Sequence, residues 1–242
     1  MAGSIEENKI VYKKFKYIPP AKPTSLLDNT CFTLDFTNRK FVHIGLDPTN
    51  DFNVVIHLIT ASRYVIITHE FLKRVYSMMG HILSIILDPP SKIKIDTFLR
   101  DDSITITKMV YRGENNLVIE SKHHAGCRVL LDRENLLALQ DLETSILQSV
   151  SYKTSFIRPI IMNQIKQIHE FLNYERARGA MPMIFEEVKQ AIIRCDMTSP
   201  LDPSFMSQLK LIAVQQIAER WYGHDEVDHK VITFIHKHFL LY

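Results

Sequence analysis

A stretch near the start of the chain interleaves lysines with aromatic residues. Residues 9–23 read KIVYKKFKYIPPAKP, and the side chains with binding chemistry are Lys13, Lys14, Lys16 and Tyr17. Ammonium groups neutralise phosphates, and exposed aromatic rings stack on unpaired bases. The same alternation is typical of an edge strand with polar residues facing outward. The two interpretations are compatible, so this stretch is a candidate nucleic-acid-contacting arm.

Residues suited to catalysis or metal binding are present, but they form no recognisable motif. Among the 11 histidines, His123 and His124 are adjacent, so on a strand they would point to opposite faces. Asp225 and His229 are four residues apart and could share a helix face, yet no second segment supplies further ligands. The patterns HExxH, GxSxG, GxGxxG and the P-loop do not occur. The sequence therefore predicts no metal, no cofactor, no small-molecule substrate and no enzyme activity.

The composition is that of an ordinary folded protein with a weak positive charge. The 242 residues are 46% hydrophobic and 23% charged, which allows one or two domains. A net charge of +2 permits an anionic partner without requiring one. The three cysteines are far apart and form no CxxC pair, which favours a reducing compartment and argues against a disulfide framework. No apolar run approaches the roughly 18 residues of a membrane span, so a nuclear or cytoplasmic location without membrane contact is expected.

One stretch of the chain occurs twice. Residues 63–86 (RYVIITHEFLKRVYSMMGHILSII) correspond to residues 127–150 (CRVLLDRENLLALQDLETSILQSV), 64 positions later. Each copy has a short apolar run, a capping residue, an acid and an amphipathic helix. Thr68 and Asp132 stand where each helix would begin, and both residue types are good N-caps. A fixed period of this kind indicates two structural repeats.

Three strand patterns precede the apolar run of each copy. They are CFTLDF, KFVHIGLD and FNVVIHLIT before YVII, and KIDTFLR, SITITKMVYR and NNLVIESKHH before CRVLL. The predicted fold class is therefore α+β, with two tandem β-β-β-β-α units of antiparallel sheet. A single sheet with one helix would leave apolar surface exposed, so we expect the units to pair as an internal pseudo-dimer.

From residue 154 onward the pattern is helical throughout. Helices are predicted at 155–178, 183–194, 202–222 and 227–241. The expected organisation is a basic arm at 1–30, units at 31–90 and 91–153, and a helical region at 154–242 that packs on the sheets or mediates oligomerisation.

The repeated stretch resembles a known family. The segments VIITHEFL (65–72) and VLLDRENL (129–136) are similar to the single-stranded DNA-binding domain of the transcriptional coactivator positive cofactor four. Plant Whirly proteins, which the chain also resembles, hold two such units. The resemblance covers about residues 31–150. The lysine-glycine-lysine signature of Whirly proteins is absent, and the strand NVVIHLIT is too apolar to be a binding face by itself.

The resemblance implies that curved strand faces hold single-stranded DNA, with basic residues on phosphates and aromatic residues on bases. The candidates on strands and adjoining loops are Arg39, Lys40, Arg63, Tyr64, Lys108, Tyr111, Arg112, Lys122 and Arg128. A solvated strand face is the competing interpretation for each of them. The apolar third strand suggests that the first unit serves pairing, while the second unit and the N-terminal arm bind.

Two functional hypotheses follow. The first is a non-enzymatic protein that binds single-stranded nucleic acid, DNA by expectation, without strong sequence specificity, in replication, recombination or transcription. The second is a structural or interaction protein that oligomerises through its sheets and helical tail and binds no nucleic acid.

Overall fold

Eight strands form where apolar and polar residues alternate. The computed structural model describes residues 25–90, 97–123, 127–178, 185–195 and 199–222. The first four strands are β1 (Leu27–Asp35), β2 (Lys40–Asp47), β3 (Asn53–Ile59) and β4 (Tyr64–Ile67). The second four are β5 (Thr97–Arg100), β6 (Ile104–Tyr111), β7 (Glu114–Ser121) and β8 (Arg128–Leu131). All eight predicted strands are confirmed.

Each set of four strands makes its own antiparallel sheet. The orders are β1-β2-β3-β4 in sheet A and β5-β6-β7-β8 in sheet B, so every strand pairs with its neighbour in the chain. The predicted α+β class with two antiparallel sheets is confirmed. Strand β1 begins four residues before the predicted Cys31, because Leu27 pairs with Leu46 and is buried beside it.

The amphipathic segment after each sheet folds as two short helices. These are α1 (His69–Ser77) and α2 (Met79–Leu87) after sheet A, and α3 (Arg133–Asp141) and α4 (Glu143–Tyr152) after sheet B. The prediction of one unbroken helix per unit was wrong, because the backbone ψ angle is 0° at Met78 and −3° at Leu142. These two residues are 64 positions apart, so the repeat extends to the helix break.

The predicted helix caps are confirmed. The Thr68 hydroxyl accepts a hydrogen bond from the backbone N–H of Phe71 at 3.2 Å. The Asp132 carboxylate accepts from the N–H of Asn135 at 2.9 Å, and the Asn135 side-chain oxygen accepts from the N–H of Asp132 at 3.2 Å. This reciprocal capping box satisfies two N–H groups that the helix itself leaves unpaired.

The two units share one hydrophobic core. It contains the inner residues of both sheets together with the apolar faces of α1 to α4. Helix α2 packs on β7, α4 packs on β2, and β4 lies beside β8. Polar contacts also cross between the units: the Tyr76 hydroxyl donates to the carbonyl of Leu139 at 3.3 Å, and the Asn115 amide donates to the carbonyl of Asp88 at 2.7 Å.

The rest of the described chain is helical, as predicted. A π-helical turn (Lys153–Ile157) joins α4 to α5 (Arg158–Ala177), followed by α6 (Phe185–Arg194) and α7 (Pro203–Tyr222). These helices have their own core and a second cluster that includes Leu27, Leu46 and Phe52 of the first unit. The helix predicted at 227–241 lies outside the described residues. Within the described ranges, the helices are too short or too polar to cross a membrane.

A buried ion pair attaches the helical region to sheet A. The Lys153 ammonium lies 2.6 Å from the Asp28 carboxylate and also donates to the Asp28 carbonyl. Further along the helix, the Arg158 guanidinium donates to the carbonyl of Phe52 at 3.1 Å. These contacts fix the start of α5 against the first unit.

Candidate nucleic-acid interface

Each sheet has an outer face, opposite the shared core. Side chains alternate between the two sides of a strand, so the pairing register identifies the residues of each outer face. Face A, on sheet A, consists of Cys31, Thr33, Phe41, His43, Val55, His57, Ile59, Tyr64 and Ile66. Face B, on sheet B, consists of Thr97, Arg100, Thr105, Thr107, Met109, Tyr111, Glu114, Asn116, Val118, Glu120, Arg128 and Leu130.

Face A is mainly aromatic and aliphatic. The rings of Phe41 and His43 lie 6.2 Å apart, and those of His57 and Tyr64 lie 6.1 Å apart. Phe41, His43 and Tyr64 are half-buried, whereas His57 is only 1% exposed. Burial raises the pKa of the Tyr64 hydroxyl, and the nearby Cys127 adds to the effect. Face A therefore offers aromatic surface rather than positive charge.

Face B is more polar, and its charges are mixed. Arg128 is exposed and stands directly opposite Glu120 in the β7–β8 ladder. Thr105 and Thr107 of β6 lie on the same face and are half-buried. The strand positions alone thus supply hydrogen-bonding groups with little net positive charge, and the stronger basic features lie in the turns.

Two hairpin turns each present an exposed aromatic residue together with an arginine. In the β1–β2 turn, Phe36 is 82% exposed and Arg39 is also exposed. In the β6–β7 turn, Tyr111 is 47% exposed, and the guanidinium of Arg112 lies 5.3 Å from the centre of its ring. We call these residues, Phe36 with Arg39 and Tyr111 with Arg112, the two aromatic–arginine tips.

Both arginines have a backbone conformation that disfavours their residue type. The φ angle is 53° at Arg39 and 53° at Arg112, in the left-handed region. Gly113 follows with φ of 83°, so the β6–β7 turn has positive φ at both central positions, where Asn-Gly is preferred. A non-glycine residue there costs roughly 1–2 kcal/mol. Glycine or asparagine would adopt this backbone conformation at lower cost, as at the other positive-φ positions Asp28, Asp51 and Phe52.

Three of the predicted lysines are engaged elsewhere. Lys40 points to the inner side of sheet A, where its ammonium donates to Asn135 at 2.5 Å and to Asp132 at 3.3 Å. Lys108 also lies on the inner side, in line with Ile104 and Ile106, and is 7% exposed. The ammonium of Lys122 donates to the carbonyl of Asp101. Lys40 and Lys108 therefore lie on neither outer face, because strand alternation directs them inward.

Strands β4 and β8 bring the two units together, because β4 lies beside β8. Cys127, the residue before β8, acts electrostatically on Tyr64, the first residue of β4, so these two positions lie near each other. Arg63 immediately precedes β4 and is half-buried, whereas Arg128 begins β8 and is exposed.

Four of the predicted residues lie outside the described part of the chain, and one residue of a tip was not predicted. Lys13, Lys14, Lys16 and Tyr17 lie outside the described residues. Phe36 was missed, although its position between β1 and the turn residues Thr37 and Asn38 was a signal that its ring would be exposed.

Across the described residues, no group of three or more histidine, cysteine, aspartate or glutamate side chains could hold a metal ion. Asp225 and His229 fall outside those residues.

Neither a known family model nor any curated protein sequence matches this chain.

Proposed function

We propose that this protein binds single-stranded nucleic acid, DNA by expectation, and that the two aromatic–arginine tips are its main contacts. The observation that carries the proposal is the pair of arginines, Arg39 and Arg112, held at positive φ beside exposed aromatic rings. Guanidinium groups neutralise phosphates, and aromatic rings stack on unpaired bases whatever their identity. Such contacts give salt-dependent binding with weak sequence preference.

We also infer that the two β-β-β-β-α units are arranged as an internal pseudo-dimer. Three features support this: the helix breaks are 64 residues apart, β4 lies beside β8, and helices α2 and α4 each pack on the sheet of the other unit. Under this arrangement the neighbouring strands β4 and β8 lie between the two outer faces. A nucleic-acid strand bound there would pass from the aromatic face A to the polar face B.

The decisive experiment replaces both tip arginines with glycine, in the variant Arg39→Gly/Arg112→Gly. Glycine adopts positive φ without strain, so the unfolding free energy is expected to stay unchanged or rise by up to about 1 kcal/mol per site. In contrast, the affinity for a labelled single-stranded oligonucleotide is expected to fall roughly tenfold at low salt. The slope of log K against log[salt] should become shallower by about 1.4, since each phosphate contact on a single strand contributes about 0.7.

Two further variants separate charge from stacking. Phe36→Ser/Tyr111→Ser should weaken binding by about 1–3 kcal/mol per lost stack while leaving the salt slope unchanged. Arg74→Gln is the matched charge control, because it removes an exposed arginine from helix α1 rather than from a tip. If the tip variant and this control have the same affinity and slope, the tips are not the binding site. If the unaltered protein binds no oligonucleotide at low salt, the interaction-protein hypothesis takes the place of this one.

A further inference from the structure

The two aromatic–arginine tips belong to turns that do not correspond in the repeat. The first tip, Phe36 with Arg39, joins β1 to β2, whereas the second tip, Tyr111 with Arg112, joins β6 to β7. The counterpart of the second tip in the first unit is the β2–β3 turn. The distance between the tips therefore depends on how the two sheets are placed relative to each other.

A polar bridge joins the start of β2 to the end of β8. Lys40, which follows Arg39, is the first residue of β2. Its ammonium lies 3.3 Å from the Asp132 carboxylate and 2.5 Å from the Asn135 side-chain oxygen. Asp132 directly follows Leu131, the last residue of β8, and helix α3 packs on β1. The first tip therefore lies beside the end of β8.

The end of β8 is also at the end of sheet B that carries the second tip. Leu131 pairs with Leu117, which is three residues from Glu114, where β7 begins after the tip. The start of β8, at Arg128, pairs with Glu120 further along β7. Both tips therefore lie at the same end of the two packed units.

The opposite end of sheet A is covered by the helical region. The Arg158 guanidinium donates to the carbonyl of Phe52 at 3.1 Å, and the Gln216 side-chain amide donates to the carbonyl of Pro48. Both carbonyls belong to the β2–β3 turn, the counterpart of the second tip. The end with the two tips is thus the end at which a ligand can reach both units.

The span between the tips suits a single strand. Strand residues advance about 3.4 Å each and neighbouring strands lie about 4.8 Å apart, so the second tip is roughly 10–15 Å from Leu131. The bridge through the Lys40 side chain adds roughly 10–15 Å to Arg39. The tips are therefore roughly 20–30 Å apart. At about 3.4 Å per nucleotide, the rise of one strand in a duplex, about six to nine nucleotides reach from one tip to the other.

An exposed arginine lies on the connection between the tips. Arg133 follows Asp132 as the first residue of α3 and is exposed. The Lys40 ammonium offsets the Asp132 carboxylate. Glu114 and Glu134 are also exposed at this end, so its net charge is small. Stacking on the exposed rings must therefore contribute alongside the guanidinium groups.

We propose that a single nucleic-acid strand contacts both tips at once and passes over Arg133 between them. This inference rests on the proposed function, and it adds that the tips form one site with a minimum strand length. Once one tip holds the strand, the second contact is intramolecular, which raises the affinity by about 10²–10⁴ over one contact. The Lys40 bridge fixes the distance between the tips, so little ordering is needed on binding.

The test measures the affinity of the full chain for labelled oligothymidylates of four and of twelve nucleotides at low salt. The shorter strand reaches one tip at a time, whereas the longer strand reaches both. We therefore expect the longer strand to bind roughly 100-fold more tightly, with one strand per protein chain at saturation.

Variants of one tip and of the connection isolate the effect. Phe36→Ser/Arg39→Gly removes the first tip, so the ratio between the two affinities should fall to the several-fold excess that the extra positions on a longer strand give. Arg133→Gln should weaken binding of the longer strand roughly threefold and leave the shorter strand unaffected. Arg74→Gln, on helix α1, is the matched control and should change neither affinity. Circular dichroism checks that each variant is folded.

The outcomes separate this inference from the proposed function. A 100-fold length effect that the one-tip variant loses supports one shared site. Two long strands bound per chain, or a length effect that the one-tip variant keeps in full, overturns it. Identical affinities of Arg133→Gln and Arg74→Gln for the longer strand remove Arg133 from the path. Binding of neither strand by the unaltered protein overturns the proposed function itself.

Discussion

Replacing Asp28 with asparagine is expected to lower the free energy of unfolding by about 3 kcal/mol. The Lys153 side chain is 3% exposed, whereas the Asp28 side chain is 35% exposed. Removing the carboxylate charge therefore leaves a buried ammonium whose partners are a neutral amide and the Asp28 carbonyl. Asparagine keeps the shape of the side chain and tolerates the φ of 49° at this position, so the loss is one of charge and not of backbone conformation.

Replacing the partner residue, Lys153, should lower the free energy of unfolding much less. Lys153→Met removes the buried charge and leaves Asp28 partly in water, so the expected loss is about 1 kcal/mol. The double variant Asp28→Asn/Lys153→Met should resemble Lys153→Met alone, because no buried charge remains. Urea unfolding of the four proteins measures the cycle. If the two single variants lose the same free energy of unfolding, Lys153 stabilises the protein through packing and not through the ion pair.

Acidification is expected to destabilise the protein by about 3 kcal/mol through His57 alone. The folded-state pKa of His57 is about 4, below its ordinary value of 6.5, because burial penalises the charged ring. As the pH falls below 6.5 the unfolded chain takes up this proton while the folded chain does not, so stability declines. The decline ends near pH 4, where the folded state also becomes protonated.

Comparison with His57→Val isolates this contribution. Between pH 6.5 and 4, the free energy of unfolding should fall less steeply for the variant than for the unaltered protein. This holds whatever the difference between the two proteins at pH 7. Parallel curves for the two proteins over this range would mean that His57 is protonated as readily in the folded chain as in the unfolded one.

The sequence predicted the local elements well and the tertiary pairings poorly. Strand alternation and the capping residues Thr68 and Asp132 depend on neighbours within a few positions, so they could be recognised without coordinates. The break at Met78 could not, because the apolar period runs through it without interruption.

The candidate site likewise contains residues that the sequence predicted correctly and residues whose placement only the packing determined. The aromatic and basic character of Tyr111, Arg112 and Arg128 was visible, and their exposure agrees with a position at turns and strand edges. Lys40 and Lys108 looked equivalent to them in the sequence. Which side of a strand faces the core depends on how the sheet packs, and that packing turned both lysines inward. The positive φ of Arg39, which marks it as costly to the fold, likewise appears only in the backbone.

The sequence by itself determined the repeat, the two strand-rich units and the helical region, because hydrophobic period and capping chemistry are local properties of the chain. Only the tertiary structure decided that the units share one core and that strand β4 lies beside β8. It also decided that His57 is buried opposite His43. These facts depend on strand register and on contacts between residues far apart in the chain, which a linear pattern does not encode.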